Sequence, residues 1–201
     1  MFVIGITGGT GAGKTTALEV IRKLGGLSLD CDEIYHQLLL GNDDLKRELS
    51  ECFHGVLVDG EIDRKKLGKL VFSDPFALLK LNEITHKYVD DEVKRKIEQW
   101  RESGGKFAAI DAIALLESDV SKICDVVIGV IAPEKVRITR IMQRDGIEAA
   151  RALQRINAQK PNSFFIENCD HILHNEHETP EEFGALCENL FKKILKSKGK
   201  H

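Results

Sequence analysis

The sequence predicts an α/β fold: a five-stranded parallel sheet with helices on both faces and a helical region inserted after the second strand. Three observations predict it. Short apolar runs that end in glycine or in an acid alternate with helical segments, the pattern of a parallel sheet built from crossover units. A glycine-rich loop carrying lysine and threonine joins the first run to the first helix. About seventy residues of mostly helical pattern separate the second run from the third, too many for an ordinary crossover.

Taken in order, Phe2 to Thr7 reads as a buried parallel strand and Lys14 to Leu24 as the helix after it. Further strands are expected at Leu27 to Leu29, Phe107 to Ile110, Val126 to Ile131 and Ile172 to His174. Within the insertion, Glu33 to Leu40 and Pro75 to Trp100 read as helix, the latter with Leu78, Leu81, Ile84, Tyr88 and Val89 near helical spacing. Asp59-Gly60 between two β-prone runs signals a type I′ hairpin. Thr179-Pro-Glu-Glu182 combines an N-cap, a proline at the first helical position and a capping-box glutamate, so a last helix is expected to about Lys196.

Composition removes several function classes. The 201 residues suit one core with insertions, and 42% apolar with 30% charged residues exclude a disordered or membrane chain. A net charge of −3 offers no global attraction for nucleic acid or anionic lipid, so neither partner is expected and any anion site must be local. Met1-Phe-Val-Ile-Gly runs straight into glycines and reads as a strand rather than a signal peptide. No stretch reaches the roughly 18 apolar residues that span a bilayer. Cys31, Cys52, Cys124, Cys169 and Cys187 form no C-x-x-C pair, which disfavours zinc and disulfides and fits a reducing cytoplasm. The basic tail Lys192 to His201 reads as a solvated helix end, and a monomer with at most weak self-association is expected.

Gly8-Gly-Thr-Gly-Ala-Gly-Lys-Thr15 matches G-x-x-x-x-G-K-[ST] in full, between a strand and a helix. This makes the sheet a three-layer α/β/α fold of the P-loop NTPase class. Glycines let backbone amides approach phosphate oxygens, and those amides join the positive end of the helix dipole in an anion nest. Lys14 reaches the β- and γ-phosphates of ATP, while the Thr15 hydroxyl can ligate Mg²⁺. There is no N-K-x-D guanine-reading sequence, which with the helical insertion favours a small-molecule kinase.

Asp30 and Asp32 end the second strand, where carboxylates of an open α/β sheet face the ligand crevice. Either can take a proton from an attacking hydroxyl, and Asp32 is equally suited to cap the helix that follows. Asp111 ends the third strand and is read as holding Mg²⁺ or its shell waters, with capping of the next turn as the alternative. Arg137, Arg140 and Arg144 fall on one helix face, and Arg151 and Arg155 resume that spacing after Asp145-Gly146. Such a helical hairpin is either a solvated face or a lid whose guanidinium groups stabilise a transferring phosphoryl group.

These residues together resemble the dephospho-CoA kinase family over nearly the whole chain. Ile6 to Thr16 resembles its first motif and Leu29-Asp-Cys-Asp-Glu-Ile34 its h-D-x-D-x-h motif. Asp59 to Gly68, Val71 to Asp74 and Leu81 to His86 resemble its middle section, which nucleotide kinases lack. Arg144-Asp-Gly146, Arg155 to Gln159 and Asp170 to Asn175 complete the pattern. The resemblance implies a core (about 1–31, 105–135 and 160–201), a helical CoA domain (about 32–104) and a small lid (about 136–159). It implies transfer of the ATP γ-phosphate to the ribose 3′-hydroxyl of dephospho-CoA. Gly8, Gly11, Ala12, Gly13, Lys14, Thr15 and Thr16 would then hold the ATP phosphates and Asn175 would lie near the adenine. Asp32 becomes the base, Lys14, Arg140 and Arg144 serve the transferring group, and Arg64, His86, Asp111 and Leu115 lie on the substrate side. Lys87 and Ile113 stand where the family usually has proline, which puts the shape of the substrate wall near Leu115 in question. The competing readings are a nucleoside or nucleoside monophosphate kinase and a nucleotide-binding switch.

Overall fold

From Val3 onward the run Phe2–Thr7, strand β1, is buried without alternation. An unbroken apolar run is what a strand covered on both faces requires. In chain order β1 is followed by α1 (Lys14–Lys23), β2 (Leu27–Asp30), α2 (Cys31–Gly41), α3 (Asp43–Cys52), β3 (Leu57–Val58), β4 (Glu61–Ile62), α4 (Arg64–Ser73) and α5 (Pro75–Glu102). Then come β5 (Phe107–Asp111), two short 3-10 turns, β6 (Val126–Ile131), α6 (Glu134–Asp145), α7 (Ala149–Asn157), α8 (Asn162–Asn168), β7 (His171–His174) and α9 (Pro180–Lys198). This computed structural model describes residues 1–177 and 179–198, with the side chains of Phe72 and Lys198 left aside. The last three residues of the basic tail lie outside the described residues.

The chain divides into two compact units, residues 30–98 and the remainder. In the larger unit the five-stranded sheet has the order β2-β5-β1-β6-β7. β1 runs parallel to β5, with Ile6 beside Asp111, and parallel to β6, with Thr7 beside Gly129. Ile4 and Ile6 point to one face, where Leu18 and Ile21 of α1 and Phe183 and Phe191 of α9 complete a core with Ile128 and Val130. On the other face a side chain at Gly5 would overlap Leu115, and α8 packs on β6 and β7. The expected capping box forms at α9: the Glu182 N–H donates to Thr179 Oγ1 (3.3 Å) and the Thr179 N–H to Glu182 Oε2 (3.4 Å).

The smaller unit packs Leu39, Leu45, Leu49, Phe53, Ile62, Leu67 and Ile84 from α2 to α5 and the hairpin β3–β4 into a core of its own. The hairpin turns through Asp59 (φ 50°) and Gly60 (φ 81°), the two left-handed residues that a type I′ turn demands. No helix among the described residues is long and apolar enough to cross a membrane. Leu18 is fully buried in the larger core, so Leu18→Ala is expected to lose about 2–5 kcal/mol of unfolding free energy. Urea denaturation with an unchanged m-value checks this.

Candidate active site

The loop between β1 and α1 is shaped from behind by side chains that tolerate no Cβ. Gly13, the N-cap of α1, has φ 109°, and a Cβ there would overlap the Asn175 amide. A Cβ at Gly9 would overlap the Arg137 guanidinium. No side chain caps α1, so an anion lying on its first turn can take the cap's place.

When a loop turns its amides toward a ligand, its carbonyls face the protein and need donors there. Arg137, 3% exposed, donates from Nε to the Thr10 carbonyl (2.8 Å) and from Nη2 to Gln159 Oε1 (3.0 Å). The same Gln159 oxygen accepts the Thr10 N–H (2.9 Å). Arg140 reaches the carbonyls of Gly11 (3.3 Å), Ala12 (3.5 Å) and His177 (3.0 Å) and Asn175 Oδ1 (3.1 Å). Asn175, 3% exposed, donates to the Ala12 carbonyl (2.8 Å). The residue expected beside the adenine therefore spends its amide on the loop, because a buried amide must satisfy both its donor and its acceptor. Burial pushes the guanidinium pKa of both Arg137 and Arg140 down. The sequence places Arg137 on the arginine face of the helical hairpin and Gln159 at the end of a family motif, but neither position declares there the contacts that both make with Thr10.

In front of the loop, Lys14 Nζ lies 3.8 Å from Asp111 Oδ1. Asp111 is 6% exposed at the end of β5, whereas Thr15 is exposed on the first turn of α1. The Thr7 hydroxyl donates to the Ile113 carbonyl (3.1 Å) and ties the segment after Asp111 to β1. Leu115 corrects an expectation. Its side chain is fully buried against Gly5, so it is part of the core and no wall for a substrate, because the 3-10 turn Leu115–Glu117 aims it inward.

In the smaller unit the two acids separate. Asp30 is the N-cap of α2 and accepts the N–H groups of Asp32 (2.9 Å) and Glu33 (3.2 Å). The capping role open to Asp32 thus belongs to Asp30, since the strand gives way to helix at Cys31, two residues earlier than expected. Asp32 lies exposed in the first turn, one helical turn before His36. Arg64 Nη2 stands 3.3 Å from His36 Nε2, and the His36 ring lies 5.6 Å from that of Tyr35. Burial pushes the Tyr35 phenol pKa up while the Arg64 charge opposes it. His86 is exposed on α5.

The family model described as dephospho-CoA kinase matches residues 2–181. The chain belongs to that family. A relative named dephospho-CoA kinase from Carboxydothermus hydrogenoformans is 34% identical over 175 residues, 86% of this chain and 85% of the relative. Another so named, from Geobacter sulfurreducens, is 31% identical over 195 residues, covering 96% and 98%. The solved structure of TT1252 from Thermus thermophilus superposes with a TM-score of 0.80 at 26% identity, covering 98% of this chain and 97% of that one.

Of the two positions that depart from the expected proline, Lys87 lies within a continuous helix and Ile113 within a turn. α5 runs on through Lys87, whose Nζ lies 3.6 Å from Glu48 Oε2, and Ile113 precedes the 3-10 turn. The link between α6 and α7 is held by Asp145, which accepts Arg144 Nε (2.7 Å) and pairs with Arg155. The Arg144 guanidinium beside it, then Arg155, lowers the Asp145 pKa to about 2. A carboxyl depressed in the folded state stabilises above its unfolded pKa, and that contribution disappears as pH falls through about 2. Carbon-detected NMR titration should find the Asp145 midpoint near 2 and move it upward in Arg155→Gln.

Proposed function

We infer that the chain transfers the γ-phosphoryl group of ATP to the ribose 3′-hydroxyl of dephospho-CoA, giving CoA and ADP. The observation that carries this reading is the family match over residues 2–181, which takes in the whole of the 30–98 unit as well as the phosphate loop. The loop alone is common to kinases of many acceptors.

In the reaction the 3′-oxygen bonds to the γ-phosphorus as the bond to the β-phosphate bridging oxygen breaks, and ADP leaves with the electron pair. The hydroxyl proton passes to Asp32, which the capping by Asp30 leaves exposed and unengaged by the helix terminus. Loop amides and Lys14 hold the ATP phosphates and meet the charge that develops between them. Arg140 is assigned to the loop's support and the phosphate field together, and Arg144, exposed at the end of α6, to the transferring group. Arg64 with His36, and His86, are assigned to dephospho-CoA, whose diphosphate suits a guanidinium with no carboxylate partner among the described residues.

The donor set fits magnesium, which takes one or two protein oxygens and completes its shell with phosphates and water: Thr15 offers an exposed hydroxyl and Asp111 a carboxylate. Bound there it would neutralise charge on the β- and γ-phosphates. Five free thiols fit a cytoplasmic setting, as a biosynthetic kinase would have.

ADP release measured with dephospho-CoA, adenosine and nucleoside monophosphates should strongly prefer dephospho-CoA; an equal or greater rate with a nucleoside would sink the reading. Asp32→Asn should lower kcat by about two or more orders of magnitude while ATP still binds. Near-normal turnover in that variant, with loss in Asp30→Asn, would show that the other acid is the base.

A further inference from the structure

A guanidinium that is 3% exposed is normally matched by a carboxylate, because a buried charge without a counter-ion is costly. Arg137 breaks that rule. Its acceptors are two neutral oxygens, the Thr10 carbonyl and Gln159 Oε1, and it makes no ion pair among the described residues. Glu134, exposed one turn earlier on α6, acts on it through space without an ion pair. The guanidinium lies against Gly9, directly behind the loop that we read as the seat of the ATP phosphates.

Gln159 sharpens the observation. Its Oε1 accepts from both Thr10 N–H and Arg137 Nη2, a place where glutamate would make the same two bonds and neutralise the arginine. Glutamine keeps the hydrogen bonds and leaves the charge unspent. Behind a neighbouring stretch of the loop, Arg140 repeats the arrangement with carbonyls and the Asn175 amide oxygen as its acceptors.

We propose that Arg137 and Gln159 are positioning residues for the nucleotide phosphates: they fix Thr10 in the loop, and Gln159 holds Arg137 without neutralising it so that the phosphates themselves become its counter-ion. The ligand-free protein thus carries an electrostatic debt that phosphate binding relieves, and the relief appears as affinity for the donor nucleotide. The inference rests on the reading of the loop as an ATP site and is independent of the acceptor.

The deciding experiment is Gln159→Glu in the full chain, with ATP and dephospho-CoA affinities measured by titration calorimetry at low and high salt, and with the thermal midpoint of the ligand-free protein. The expected result is a midpoint equal to or above that of the parent, ATP affinity weaker by about ten-fold with a shallower salt dependence, and dephospho-CoA affinity unchanged. A merely structural Arg137 would keep its hydrogen bonds in this variant, so unchanged ATP affinity overturns the proposal. Arg137→Met, which removes both charge and donors, should weaken ATP at least as much, and Arg137→Lys should recover part of the loss. Equal weakening of both ligands together with a lowered midpoint in Gln159→Glu and Arg137→Met would mark a scaffold role and also overturn it. Failure of the parent protein to bind ATP would overturn the functional reading itself, and this inference with it.

Discussion

A peptide unit has two polar ends, and a loop that presents its N–H groups to phosphate must turn many of its carbonyls the other way. In this protein those carbonyls meet Arg137, Arg140 and Asn175. Much of the larger unit follows from that requirement. β6 must deliver α6 so that two arginines one turn apart reach successive carbonyls, and β7 must end where Asn175 can enter beneath Gly13. Gly9 and Gly13 are glycine because side chains from behind already occupy the space that a Cβ would need. The phosphate loop is therefore a tertiary object, although its sequence pattern is local.

The same requirement bears on the arginines of α6. The helical spacing of Arg137, Arg140 and Arg144, three and then four residues, suggests three equivalent guanidinium groups on one face. The structure grades them: Arg137 is buried, Arg140 is partly buried and bonded to the loop, and Arg144 is exposed beside Asp145. Anchorage to the loop thus declines along α6, and at the end of the hairpin Gly146 takes the left-handed conformation while Asp145 clasps arginines from both helices.

What was legible in the sequence was whatever a local pattern carries. The central strands, the phosphate loop, the Asp59-Gly60 turn and the Thr179 capping box each declare themselves within a few residues, and the structure has them all. What was hidden depends on long-range partners or on a shift of two residues in where a helix begins. Asp30 and Asp32 differ as candidates only through where strand gives way to helix; the change at Cys31 makes the first acid the cap and releases the second. Leu115 looked like a wall because its neighbours match a family segment, yet a 3-10 turn rotates it into contact with Gly5. Gln159 closes a stretch that matches the family pattern, yet its partners cannot be read there, since its single oxygen is shared between Thr10 and Arg137, far apart in the chain.

The net charge of −3 argues against any broad attraction for anions, and yet the chain belongs to a family that handles a nucleoside triphosphate. The resolution lies in where the positive charge is placed. A cation at the surface is screened within about 10 Å at ordinary salt and contributes little, whereas one buried behind backbone amides acts through a medium of lower dielectric. Arg137 and Arg140 occupy such positions with neutral acceptors, and Lys14 is only loosely paired with Asp111 at 3.8 Å. Buried cations beside one loop can locally outweigh a small excess of acids spread over the exterior. An acidic protein can in this way keep a strongly attractive site for phosphate while its exterior remains repulsive to polyanions, and the discrimination comes from burial rather than from charge count.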